Sequence, residues 1–157
     1  MRFLVKNLTD IAFWRNCMDI QYEKHENRLF LGKLLPFIFH RDTLNDTWGM
    51  LHWHENPEFL LCRSGYAFSA GTLLCVPPGE LHRVENNAAE TLHYDCLIVD
   101  VNFCNENGLT DEQIHFTTDA NDPIATKLFC DAADACADAY PPLDVLRIRV
   151  AVLQFLL

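Results

Sequence analysis

Hydrophobic and polar positions alternate with a period of two through the middle of the chain, then recur at three- and four-residue steps near its end. The first pattern predicts strands and the second predicts helices. Thr91 to Val101 is the longest alternating run. Leu92, Tyr94, Cys96 and Ile98 share one face of it, and His93, Asp95, Leu97 and Val99 the other. Leu29 to Phe39 is almost wholly apolar and reads as a strand pair or one bent strand, broken at Gly32 or Pro36. Asn45-Asp46-Thr47 is a turn signal. Met50 to His54 and Glu58 to Arg63 read as strands parted by Asn56-Pro57, with a turn at Ser64-Gly65. Gly71 to Val76 is a short buried strand. Pro77-Pro78-Gly79 forces a sharp turn, and Leu81 to Val84 resumes as strand before Asn86-Asn87 turns again.

Helical spacing marks two regions. Ile11, Trp14, Cys17 and Met18 suit a short amphipathic helix inside a mixed segment, residues 1–28. Phe103 to Asp119 has loop chemistry. Asp122-Pro123 then supplies an acidic N-cap and a proline at the first helical position. Ile124, Leu128, Ala132, Ala135 and Ala139 form the expected apolar stripe, opposite a solvated acidic face of Asp131, Asp134 and Asp138. Pro141-Pro142 ends that helix, and a second runs from Leu143 to Leu157. It is apolar on nearly all sides, so it must bury more than one face. One face can cover the strands, and the other needs a partner. The expected organisation is a β unit over 29–103, a loop over 104–121 and two helices over 122–157.

Composition narrows the function classes. Twelve Lys and Arg against 22 Asp and Glu leave 157 residues with a net charge of −10. So acidic a chain is a poor match for a phosphate backbone. Seven cysteines, an odd number with no C-x-x-C pair, read as free thiols in a reducing compartment. With no signal-like start and no run long enough to span a bilayer, the expected location is the cytoplasm.

The candidate chemistry lies between Gly49 and Asn86. His52 and His54 are two apart and so project to one side of a strand, with Trp53 on the other. Glu58 stays in phase if the strand resumes after Pro57, and the Pro77–Gly79 turn can return His82 to the same place. Three imidazoles and a carboxylate suit a divalent first-row ion, namely Zn, Ni, Fe, Mn or Co. Phe37, Phe39, Trp53, Phe59, Tyr66 and Tyr94 are the expected walls of a pocket around this group. His40 and His115 read as ordinary strand or loop residues.

The spacing of these residues resembles the two motifs of the cupin superfamily. His52, His54, Glu58 and Gly65 fit H-x-H, three residues, E, six residues, G. Gly71, Pro77, Gly79, His82 and Asn86 fit G, five residues, P-x-G, two residues, H, three residues, N. The resemblance implies a mainly β fold with C-terminal helices: a double-stranded β-helix (jelly-roll) barrel followed by two α-helices. Only Tyr66 to Ala70 separate the motifs, about 17 Å when extended. That suffices for a hairpin, so the barrel would be trimmed there. The run HWHE…PPGELHRV, then a long strand and a Leu-rich helix, is similar to the N-terminal effector domain of AraC-type transcription regulators. This likeness implies a sensor with no catalytic residues, binding a small-molecule effector such as a sugar. It implies a homodimer through Leu146, Val150, Leu153 and Leu157, and DNA contact only through a C-terminal domain that this chain lacks. The alternative is a stand-alone metal-dependent cupin enzyme, a dioxygenase or sugar isomerase using the same four ligands.

Overall fold

The computed structural model describes residues 21–22, 29–30, 33–44, 51–64, 70–84, 91–109, 122–137 and 144–157. The protein is mainly β with helices at its C-terminal end. In chain order the strands are β1 (Gln21–Tyr22), β2 (Leu29–Phe30), β3 (Lys33–Leu34), β4 (Phe37–Leu44), β5 (His52–Trp53), β6 (Glu58–Ser64), β7 (Leu73–Val76) and β8 (Leu92–Val99). The helices are α1 (Val101–Glu106), α2 (Pro123–Ala137) and α3 (Asp144–Leu156). An antiparallel four-stranded sheet in the order β4-β8-β6-β7 carries the structure, and β2 with β3 and β1 with β5 form two further pairs. The expected break at Pro36 separates β3 from β4. The expected strand over Leu81–Val84 contracts to isolated bridge positions at Leu81 and His82, with His82 paired to His52. The amphipathic spacing at Ile11 to Met18 lies outside the described residues.

Strand register sorts the side chains into two faces. On one, Ile38, Ile98, Glu58 and Val76 form a row across the sheet, with Cys96, Leu60 and Leu74 in the next. These apolar residues make one core cluster, against which Val84 and Tyr94 pack. On the other, Phe39, Leu97, Phe59 and Cys75 make a row, followed by Arg41, Asp95, Leu61 and Leu73. The larger core lies on this side, where α2 and α3 cover the sheet. Phe155 of α3 meets Phe59 edge-on at 4.8 Å between ring centroids and Phe129 of α2 at 5.3 Å. Such edge-to-face pairs stabilise beyond the area they bury.

The helices differ from expectation in two ways. Residues 101–106 are helical rather than loop, because Asp100 caps the first turn by accepting from the Asn102 amide at 2.7 Å. Gly108, at φ 78°, follows the last turn in a conformation that other residues rarely adopt. The buried stripe of α2 is also rotated. Ile124 is 70% exposed, whereas Phe129, Ala132, Ala133, Ala135 and Cys136 are buried. Phe129 is the largest side chain available and sets the face, and the alanines let α3 approach closely. The cap itself is as expected, with Asp122 accepting from the Ile124 amide at 2.8 Å.

One polar group fastens helix to sheet. The Asp95 carboxylate is fully buried. It accepts from Arg41 Nε at 2.9 Å and from Arg63 Nε at 2.7 Å. Arg63 lies where β6 and β8 slip register between Cys62 and Ser64, and it shares a face with Leu61, the residue opposite Asp95. Arg41 also donates to Asp134 of α2 at 3.3 Å. Asp134, 64% exposed, thus lies on a solvated face as expected and adds a surface ion pair to this group. Burial raises the Asp95 carboxyl above its ordinary value of 3.8, and the two guanidiniums outweigh that and hold it below.

The expected consequence follows from proton linkage. A depressed folded value means that the unfolded chain binds the extra proton. The stabilisation is then complete above pH ~4, the unfolded range, and is lost as pH falls through the lower folded value. Urea unfolding at stepped pH should show Asp95→Asn with a shallower acid slope than the parent. Replacing both Arg41 and Arg63 by Ala strands a buried charge and should cost about 3–5 kcal/mol at pH 7.

Candidate metal centre

The candidate ligands come from three places on the sheet's first face. β5 carries His52, and His54 follows it directly. Glu58 opens β6 and lies in the apolar row between Ile98 and Val76. His82 arrives through the Pro77-Pro78-Gly79 turn. In that turn the Gly79 amide donates to the His54 carbonyl at 2.8 Å, and Gly79 has a φ of 78°. A side chain at that φ would strain the turn. Paired amide bonds between His52 and His82, at 3.0 and 2.9 Å, lock the two strands together at the histidines. The sequence thus spends its proline and glycine on one purpose, bringing residue 82 beside residue 52.

His54, Glu58 and His82 are buried and His52 is half-buried, so the group opens to solvent on the His52 side. Glu58 Oε2 lies 2.9 Å from His54 Nε2 and 3.0 Å from His82 Nε2. The His82 ring centroid is 4.2 Å from that of His52 and 4.8 Å from that of His54. His82 Nδ1 lies 2.8 Å from the Glu80 carbonyl. A carbonyl only accepts, so Nδ1 carries a proton and Nε2 is the atom presented to the cluster. Burial pushes the Glu58 carboxyl up, but the hydrogen bonds from His54 and His82 outweigh it and hold the group well below the usual carboxylate range.

This donor set fits a divalent ion. One ligand atom from each of His52, His54, Glu58 and His82 falls within 4.8 Å of the others. Two donors at ~2.1 Å from a shared ion lie about 3 Å apart when adjacent and about 4.2 Å when opposite. The short pairs already meet the first spacing, and the widest needs an adjustment of about half an ångström, within the reach of small side-chain rotations. An ion would need the Nε2 lone pairs, so any Nε2 proton donated to Glu58 would be displaced on loading.

The expected pocket walls divide between the faces. Tyr94 lies on the Glu58 face beside Cys96, and its phenol is pushed up to about 12 by burial, with Asp42, Cys96 and Glu58 adding to the effect. It remains a neutral hydroxyl at any ordinary pH. Phe37, Phe39 and Phe59 do not wall the cluster. They point to the opposite face and pack beneath the helices. Both faces of this sheet are apolar, so alternation in the sequence separates the two sets without saying which meets the histidines. Trp53 turns away from His52 and His54 and is 36% exposed. Tyr66 lies outside the described residues. Sequence reasoning passed over Cys96 as a neighbour of the cluster: its thiol donates to Glu58 Oε1 at 3.4 Å. The signal was its place on the Tyr94 face of β8.

No family model matches the chain, and no curated protein matches it. Protein purified without chelator should carry close to one equivalent of a first-row metal by elemental analysis, and His82→Ala should lose most of it. A metal-free parent would contradict the assignment.

Proposed function

We propose that this chain is a small-molecule-sensing module of the cupin type that holds a divalent metal and pairs with a second copy, in the manner of the effector domain of an AraC-type regulator. The observation that supports this most is the two-sided use of one sheet. The candidate metal ligands lie on one face; on the other, α2 is tied to the sheet through Asp134 and the Asp95, Arg41 and Arg63 group, and α3 packs there through Phe155. β8 is one strand thick between them. A change at the ligand face therefore has a short, stiff route to the helices. When bound, the ion offers Lewis acidity and open positions for oxygen atoms of a small molecule. The chain's own residues would orient that molecule and exclude water: His52, the half-buried member of the group, and Leu60, Tyr94 and Ile98, which share the Glu58 face of the sheet.

The outer side of α3 supports pairing. Ile148 and Val152 are buried against the protein, while Leu146 is 70%, Val150 46% and Leu157 91% exposed. Leu153, also expected at the interface, instead packs against the inner core and is half-buried. The pairing surface is therefore Leu146, Val150 and Leu157. Among the described residues no helix is long and apolar enough to cross a membrane. With a net charge of −10, contact with DNA would fall to another domain.

A second reading, a metal-dependent cupin enzyme, is favoured by the three-histidine, one-carboxylate donor set itself. The two part at the helix. Replacing Leu146 and Val150 together by Asp should convert a dimer to a monomer in sedimentation velocity, with the helical circular dichroism retained. A parent that is already monomeric, and that turns over an oxygen-rich substrate when loaded with metal, would favour the enzyme.

A further inference from the structure

We infer that Cys96 is a positioning residue for the metal centre, acting through Glu58; the inference rests on the metal reading above. Glu58 begins β6, and the residue directly across on β8 is Ile98, so Cys96 is its diagonal neighbour on the same face. The two carboxylate oxygens have divided roles. Oε2 takes both imidazoles, at 2.9 and 3.0 Å, and Oε1 takes the Cys96 thiol at 3.4 Å. A carboxylate flanked by Ile98 and Val76 has little solvent to turn toward. The thiol holds Oε1 away from the histidines, so that a single oxygen faces the ligand atoms. Groups behind a metal ligand commonly set affinity in this way, by fixing the ligand's orientation before the ion arrives.

Cys96 is itself held firmly. The residue before it is Asp95, fastened on the opposite face by Arg41 and Arg63. Backbone pairing on both sides, with His40 of β4 and Leu60 of β6, fixes the register of β8 at this residue. The side chain of residue 96 therefore cannot turn to the helix face without breaking the clamp. The thiol is buried, and its role is to donate a hydrogen bond rather than to react.

Matched substitutions separate the donor from the packing. Cys96→Thr and Cys96→Val have the same shape and differ in a hydroxyl donor; the smaller pair Cys96→Ser and Cys96→Ala differ by the hydroxyl group as a whole. The reading is zinc affinity by competition with a chelating dye on the full chain, with cobalt absorption reporting the ligand field. Cys96→Val should bind about 10–100-fold more weakly than Cys96→Thr, in line with the loss of a residue supporting a ligand. Cys96→Ala should fall below Cys96→Ser by a similar factor. If the branched pair does not fold, the smaller pair carries the comparison. Equal affinity within each pair, in a parent that binds zinc, overturns the role of Cys96 alone. A parent that binds no zinc overturns the metal reading and this role with it.

Discussion

A buried carboxylate in an apolar row is the constraint on which the rest of this structure turns. Glu58 sits between Ile98 and Val76, where an ionised group without partners is strongly disfavoured. Two imidazoles and a thiol make its charge tolerable, and each comes from a different part of the chain. His54 needs β5 to stop just before the Asn56-Pro57 break. His82 needs the Pro77–Gly79 turn. Cys96 needs β8 in one particular register. Satisfying one side chain therefore fixes three segments, and the same three segments bring His52 to the mouth of the group.

The register is in turn secured from behind. Asp95 and Cys96 are neighbours on β8 that face opposite ways, one toward the helices and one toward Glu58. A one-residue slip would exchange them, placing a carboxylate beside Glu58 and a thiol between two arginines. Both outcomes carry heavy electrostatic cost. Arg63, at the register shift of β6, belongs to the same arrangement through its bond to Asp95. Fold and candidate site are thus one problem solved by one strand.

Much of this was legible in the sequence. The alternation of β8, the break at Asn56-Pro57, the turn at Pro77–Gly79 and the cap at Asp122 all rest on local chemistry. So does the convergence of His52, His54, Glu58 and His82, because H-x-H on a strand leaves little freedom. What stayed hidden depended on tertiary partners. Phe37, Phe39 and Phe59 lie on the helix face rather than around the histidines, a choice that alternation in a doubly buried sheet does not disclose. The α2 stripe was off by a rotation because alanines lie on several sides of it and only the packing of Phe129 against Phe155 chooses. α1 is six residues long, too short for a periodic signal, and only its caps betrayed it. The Asp95 clamp draws on β4, β6 and α2 together, which no single-strand pattern discloses.

The proposed function depends on Glu58 and the three histidines gathered around it, His52, His54 and His82, holding a metal ion. Anomalous diffraction recorded at the absorption edge of the metal found in the purified protein tests it most directly. One strong peak is expected, bounded by His52, His54, Glu58 and His82, within coordination distance of Glu58 Oε2 and His82 Nε2. A map with no peak there, from crystals whose histidines keep the observed positions, would contradict it.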